Sequence, residues 1–352
     1  MQVKVLGVDQ YEEWHKYLTQ LPEADIYFTP EYCRIYEENG EGLAQLFVFY
    51  RENKFICYPF LLRKINLDPR ISSQLDTDLY DITTPYGYGG PLSNITDEDE
   101  KRHAFENFGS IFHEYCIENN IITEFVRFHP MLKNNVDYRA VNPTFVRNTI
   151  YIDLRCSVEE IWERFSKNNR NRIRRSQREN LMIKHTDRGG IDNFTKLYYS
   201  TMEKKQANDY YYFSPQFIMN TLTFLKGSIE LIEVQCGNQV IASSLFMYYN
   251  DFVHYHLMGS DKQFLSACPV NFLIHYAVLW AKEKGFKFLH LGGGYEGDDN
   301  LLRFKKGFNT GEPADFYIGR KIHCNYTYNM LLNKLQCKSQ EQEDYFPAYR
   351  LS

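Results

Sequence analysis

YFTPEY at residues 27–32 returns as YFSPQF at residues 212–217. The offset is 212 − 27 = 185 positions, and carrying it forward pairs Leu46 with Leu231 and Asn53 with Asn238. Around those positions both copies read as helix, strand, short turn, strand. The first strand pair is LAQLFVFYRENKFICYPFLL (43–62) and the second is SIELIEVQCGNQVIASSLFMYY (228–249). Each is apolar, rich in β-branched and aromatic residues, and broken by an Asn-containing turn, which is the pattern of a hairpin. Further on, the helical pattern KRHAFENFGSIFHEYCIENN (101–120) precedes the strand IITEFVRFH. PVNFLIHYAVLWAKEKG (269–285) likewise precedes FKFLHLGG. Shared order at one ungapped offset points to internal duplication. The expected fold is therefore α+β, in two domains of one design. The boundaries fall at residues 1–149 and 150–322, followed by 323–352 as a C-terminal helix and tail. The tail helix, TYNMLLNKLQ (327–336), is expected to pack back on the first domain.

A chain of 352 residues is long for a single core and suits two domains. The apolar and charged fractions, 43% and 24%, are those of a globular protein. The start, MQVKVLGVDQYEEW, lacks the blocks of a signal peptide, and no apolar run approaches the roughly 20 residues that a spanning helix needs. Eight cysteines form no CxxC pair and read as buried free thiols of a reducing cytoplasm. His254 and His256 would share a strand face. No Cys or acid stands at ligand spacing, so packing is the reading for them.

Charge is concentrated in one place. FSKNNRNRIRRSQREN (165–180) holds Lys167, Arg170, Arg172, Arg174, Arg175 and Arg178 with no acid before Glu179, in a chain of formal charge -5. Ser157 and Glu160 have capping-box spacing, so a helix is expected from there, with Asn180 as a left-handed end. On one helix Lys167, Arg170, Arg174 and Arg178 share a face. Guanidinium groups pair with phosphates, so a phosphate-bearing ligand is expected there, with Arg170 and Arg174 central. A merely solvated face is the competing interpretation.

Two further anion sites are suggested in the second half. DKQFLSAC (261–268) leads into a helix opening at Pro269. Ser266, Ala267 and Cys268 are small residues before a helix start, with Asn271 in its first turn; free N–H groups there attract anions. A plain packed helix start fits that segment equally. LGGGYEGDDNLLRFKKGFN (291–309) is a glycine-rich turn feeding a short helix with Arg303, Lys305 and Lys306, and with Phe304 and Phe308 as its apolar side. The glycines match neither GxGxxG nor a P-loop and permit a bulge or close backbone approach. No Ser-His-Asp or Cys-His set is present. Tyr255, Tyr211 or Tyr212 could relay protons, and each equally suits packing.

The succession YHLMGSDKQF, small-residue loop, PVNFLIHYAVLWAKEKG, FLHLGG and LLRFKKGF resembles the Fem family of aminoacyl transferases and their BioF2-like acetyltransferase relatives in the GNAT superfamily. TPYGYGGPL (84–92) and RNRIRRSQRENL (170–181) are also similar. The resemblance covers most of the chain and is strongest between about residues 150 and 320. It implies two tandem GNAT-like domains, in agreement with the repeat. It also implies a cytoplasmic N-acyl or aminoacyl transfer onto an amine of a cell-envelope precursor, such as a peptidoglycan intermediate, or of an amino sugar. No permanent cofactor is implied, and the acyl donor is either aminoacyl-tRNA or acyl-CoA. The partners implied are a phosphate-bearing or lipid-linked acceptor, tRNA and the membrane surface.

Carried over residue by residue, the family pattern makes Lys305 the cation near the reacting carbonyl and places Tyr255 along the channel. TMEKK makes Lys204 a contact for acceptor phosphate, with lysine where the family has arginine. Tyr86 and Tyr88 border the acceptor groove, together with Tyr212. Ser266, Ala267, Cys268, Asn271 and Lys306 fall on the donor side. Tyr36 stands where a phosphate-binding lysine often sits, and the coiled-coil insertion of many members has no counterpart between Thr186 and Tyr212. The structural alternative for Lys305 is an ion pair with Asp298 or Asp299. The functional alternative for the chain is a binding protein for a nucleotide-linked or RNA ligand on a degenerate GNAT pair.

Overall fold

A computed structural model describes residues 2–68, 70, 77–206, 208–295, 297, 299–337 and 345–351. The first stretch runs β1 (Gln2–Gly7), α1 (Tyr11–Leu18), α2 (Pro30–Glu38), β2 (Leu43–Arg51), β3 (Lys54–Lys64), β4 (Tyr80–Thr83), β5 (Leu92–Ser93), α3 (Glu98–Glu118) and β6 (Ile121–Arg127). The middle adds β7 (Thr144–Asp153), α4 (Val158–Arg164), α5 (Lys167–Ser176), β8 (Leu181–Thr186), α6 (Ile191–Lys205), α7 (Pro215–Phe224), β9 (Ile229–Cys236), β10 (Gln239–Tyr249) and β11 (Phe252–Ser260). The last part holds α8 (Pro269–Glu283), β12 (Phe288–Gly293), α9 (Asn300–Lys306), β13 (Ala314–Ile322) and α10 (Asn325–Lys334).

The chain forms two compact units. Unit 1 is Met1–Val146 together with Asp315–Ser352, and unit 2 is Arg147–Ala314. In unit 1 the strands follow the order β1-β2-β3-β4-β6-β13, with β5 beside β3. In unit 2 the order is β8-β9-β10-β11-β12-β7. Both orders carry the same orientations. The first four strands are antiparallel neighbours, the fourth and fifth are parallel, and the sixth is antiparallel. Each parallel pair is bridged by a helix, α3 in one unit and α8 in the other, as a parallel connection requires.

The duplication extends to single residues. Thr29 and Ser214 cap α2 and α7 by accepting the N–H of Tyr32 and Phe217, with proline at the first helical turn of both. The hairpin turns place Glu52 and Gly237 at positive φ, again 237 − 52 = 185 positions apart.

Both cores follow from the apolar periodicities. In unit 1, α3 lays Phe105, Phe108 and Phe112 on Phe47, Phe49, Tyr58 and Phe60 of the sheet. Each such ring, fully buried, contributes roughly 1.5–3 kcal/mol. In unit 2, Leu273, Ile274, Ala277, Val278 and Ala281 of α8 meet Ile232, Val234, Phe246 and Val253. The C-terminal helix lies on unit 1, where Tyr328, Leu331 and Leu332 pack with Ile65, Leu79 and Ile122.

Four expectations are corrected. The strand 314–322 pairs with β6 and belongs to the first unit, so the second unit ends before it. The helix expected to run unbroken from Ser157 is two, α4 and α5. Phe165 leaves the helix with ψ 138, and Ser166 starts the second by accepting the N–H of Asn169. Asn180 is not in the left-handed region. The cysteines are free, yet only Cys33, Cys57 and Cys116 are fully buried.

Candidate active site

The site that the sequence reading pointed to lies in unit 2, where β12 runs out into the glycine turn. The register of β12 against β7 shifts between His290 and Gly292, so the glycines form the expected irregularity. Gly292 sits at φ +75. A Cβ on Gly294 would lie 2.4 Å from the Asp299 Oδ1, so a side chain there would displace that carboxylate. Asp299 caps α9 by accepting the N–H of Leu302 and also accepts that of Tyr295. Arg147, which the sequence reading did not select, donates to the carbonyls of Gly294 (2.8 Å) and Tyr295 (2.6 Å). The turn is thus fixed from two sides.

On α9 the two lysines diverge. Phe308 is buried and Phe304 packs against the core, their rings 5.5 Å apart. Lys305 is turned inward and 9% exposed, whereas Lys306 is half-buried. The Lys305 ammonium donates to the Gly293 carbonyl at 2.7 Å. Among the described residues no carboxylate lies within ion-pair distance of it. Asp298, one of the two partners considered above, lies outside the described residues, and Asp299 acts on Lys305 only as a nearby charge. Burial first, then the nearby positive charge of Lys205, pushes the lysine down to about 7, against the pull of Asp299. Lys205 is itself held below the ordinary range, first by desolvation of its ammonium, although much of its side chain reaches solvent; Asp299 opposes and Lys204 adds to the shift. Lys205, rather than Lys204, is therefore the lysine of TMEKK that acts on Lys305. Sequence spacing alone does not separate neighbours at the end of a helix.

The remaining residues fall as follows. Tyr255 is half-buried against Phe246, with its phenol pushed up by burial. His256 is pushed down to about 3 by burial and by His254. Tyr212 is half-buried beside Tyr199, and the Tyr211 ring meets Tyr295 of the glycine turn at 5.8 Å. Lys204 is exposed. In unit 1, the Tyr86 carbonyl accepts from the Tyr32 hydroxyl at 2.6 Å, and the Tyr88 ring packs on Tyr27, His129 and Phe316. Tyr36 is fully buried against Tyr32.

At the start of α8, Ser266 is exposed, Ala267 is buried and Cys268 takes a left-handed conformation at φ 53. No side chain caps this helix. The amide of Asn271 donates to the Asn169 Oδ1 at 2.5 Å, which brings the first turns of α5 and α8 together. Asn169 is 4% exposed and its Nδ2 has no hydrogen-bond partner. Two uncompensated donor groups therefore meet in one place: the helix start and this amide. Asn169 was missed because an asparagine inside an arginine-rich run looks like surface.

The basic helix divides into structural and open cations. Arg170 donates to the carbonyls of Trp162, Glu163 and Phe165 at 3.3, 2.9 and 2.8 Å, closing the end of α4. Arg174 lies over the Trp162 ring, 5.4 Å from its centre. Lys167, Arg172, Arg175 and Arg178 are exposed. The expected stripe is thus broken, because its two central members hold the protein's own groups. Arg178 also lies beyond the helix, which ends at Ser176.

Residues 164–306 match the family model described as an acetyltransferase (GNAT) domain. Three solved structures are similar to the chain in fold. FemX has a TM-score of 0.68 at 13% identity, covering 94% of this chain and 100% of that one. The C-terminal domain (DUF2156) of a protein described as a lysylphosphatidylglycerol synthetase from Agrobacterium fabrum has a TM-score of 0.53 at 12% identity, with coverages of 94% and 95%. L-PGS from Bacillus licheniformis gives 0.53 at 12%, with 92% and 95%. No curated protein matches the chain. The match of residues 164–306 to a GNAT acetyltransferase domain supports an acyltransferase. In fold the chain is similar to FemX.

Proposed function

We propose that this chain transfers an aminoacyl or acyl group to an amine of a phosphate-bearing cell-envelope precursor or amino sugar, with Lys305 at the reacting centre. The observation that carries the reading is the buried Lys305 ammonium, with one carbonyl acceptor and, among the described residues, no carboxylate counter-ion. A lysine so placed exchanges its proton near neutrality. In its neutral form it takes the proton of the attacking amine as the C–N bond forms. The donor's C–S bond, for acyl-CoA, or C–O bond, for an aminoacyl ester, then breaks. The proton passes to the departing sulfur or oxygen. In its charged form Lys305 stabilises the oxyanion of the tetrahedral intermediate.

The donor's anionic part is assigned to the start of α8, with Ser266, Cys268, Asn271 and Asn169, and to Lys306. Lys204 and Lys205 face the acceptor's phosphate, and Tyr255 and Tyr212 line the channel. Arg172 and Arg175, exposed on the basic helix, are the phosphate contacts in place of Arg170 and Arg174, which hold the protein's own groups. Tyr86 and Tyr88 are the acceptor-groove residues of unit 1. The GNAT description makes acyl-CoA the first donor to test and the Fem-like fold makes aminoacyl-tRNA the second. The likeness to a protein described as a lysylphosphatidylglycerol synthetase adds lipid-linked phosphates to the acceptors. Among the described residues no helix is long and apolar enough to cross a membrane. We place the reaction in the cytoplasm, at or near the membrane surface.

The test is single-turnover transfer with acetyl-CoA and with charged tRNA, offered separately with amino-sugar and envelope-precursor acceptors. Lys305→Ala is expected to slow transfer on the order of 10²-fold or more, and Lys306→Ala to change it little. Equal rates for wild type and Lys305→Ala would remove Lys305 from the mechanism.

A further inference from the structure

Unit 1 contains an open cavity that none of the transferase assignments uses. It lies between the tip of the β2–β3 hairpin and the first turns of α3, with a volume of about 220 Å³, and is open to solvent on one side. Its floor is apolar: Phe49, Phe55, Ile56, Ile95 and Ala104. The wall is held in place by side chains. Asn94 accepts the N–H of Phe55 at 2.8 Å and donates to the Asn53 carbonyl at 2.7 Å, and the Ser93 hydroxyl donates to the Phe55 carbonyl at 2.9 Å. The cavity is therefore formed before any ligand arrives, as small-molecule sites usually are.

The charges at its mouth do not balance. The start of α3 is acidic, but each of its first-turn carboxylates has a cation. Glu98 pairs with Lys101, Asp99 with Arg102, and Glu100 with Lys54 from the hairpin. Arg51, opposite Lys54 in the hairpin register, is exposed and has no ion pair among the described residues. One uncompensated guanidinium thus stands at the edge of an apolar floor, and Asn107 brings a side-chain amide to the same lining. An apolar body with a single negative head matches both features. Guanidinium and carboxylate form paired, charge-assisted hydrogen bonds, while the body gains the transfer free energy of leaving water.

We infer that this cavity binds an amphipathic monocarboxylate of the fatty-acid type, with its carboxylate on Arg51 and its chain on the Phe49, Ile56 and Ala104 floor. The site is independent of the transferase reading and stands or falls without it.

The experiment titrates the full chain with decanoate, below the concentration at which it forms micelles, against decanol and acetate as comparisons. Methyl NMR of Ile56, Ile95 and Ala104 and calorimetry are the readouts. Decanoate is expected to shift these methyls saturably and acetate to leave them unmoved. Arg51→Ala is expected to weaken decanoate about tenfold or more, as loss of a charge-assisted hydrogen bond does, and to leave decanol binding unchanged. Ala104→Phe, which fills the floor, is expected to abolish both; a thermal melt checks its folding, and Arg51→Ala decides the matter if that variant does not fold. Decanoate that fails to shift the three methyls, or that binds Arg51→Ala as tightly as wild type, would overturn the proposal.

Discussion

Lys305 is the residue at which stability and chemistry oppose each other. In the unfolded chain a lysine titrates near 10.4, and here burial and Lys205 bring it to about 7. Between those values the unfolded chain binds one more proton than the folded one, so stability rises with pH across that window. Below about pH 7 the full cost of burying the ammonium is present; above the unfolded value it is gone. Lys305→Met is therefore expected to raise stability at pH 6 by on the order of a few kcal/mol, with the gain shrinking as the pH approaches 10. Urea denaturation of wild type and variant across pH 6–10 measures this. A constant difference at every pH would mean that the lysine keeps its ordinary titration. Nothing in RFKKGF fixes that shift by sequence. The apolar spacing of Phe304 and Phe308 does indicate that two adjacent lysines must diverge, but which of them turns inward comes from a family resemblance, and the neighbour that depresses its titration lies 100 positions away.

At the scale of elements, the arginine-rich stretch shows how one composition serves two purposes. Arg170 closes the C-terminal end of α4, so Arg170→Ala is expected to destabilise by about 1–2 kcal/mol, because three carbonyls lose a charged donor. The double change of Arg172 and Arg175 to Gln is expected to alter stability by less than about 0.5 kcal/mol. It should nevertheless weaken binding of a polyanion such as heparin and flatten its dependence on salt. Thermal melts and a salt titration of both variants separate the two roles; equal melting shifts would deny the division. The capping box at Ser157 and the charge run were legible, whereas the break at Phe165–Ser166 was not. Phe165 is drawn into the core beside Phe308, and that packing overrides local helical preference.

At the scale of the whole molecule, unit 1 is assembled from both ends of the chain. Its sixth strand, β13, and the cluster of Tyr328, Leu331, Leu332 and Tyr349 come from residues beyond 314. The buried Asp81 accepts from Arg63, Tyr349 and Arg350, tying the last residues to β3 and β4. A chain ending at Ala314 is therefore expected to leave β6 without its antiparallel partner and to lose cooperative unfolding of unit 1. Limited proteolysis would show this as rapid cleavage within residues 1–146, and a truncated chain as resistant as the full one would contradict the assignment. The sequence alone determined the duplication, the helix and strand order of the two copies, the capping box at Ser157 and the glycine turn, because periodicity, capping and φ preference act within a few residues. Only tertiary structure decided which unit receives β13, that Lys205 is the lysine acting on Lys305, that Arg170 is structural, and that Asn169 meets Asn271. Those outcomes depend on burial and on charges brought together from distant positions, and no local pattern encodes them.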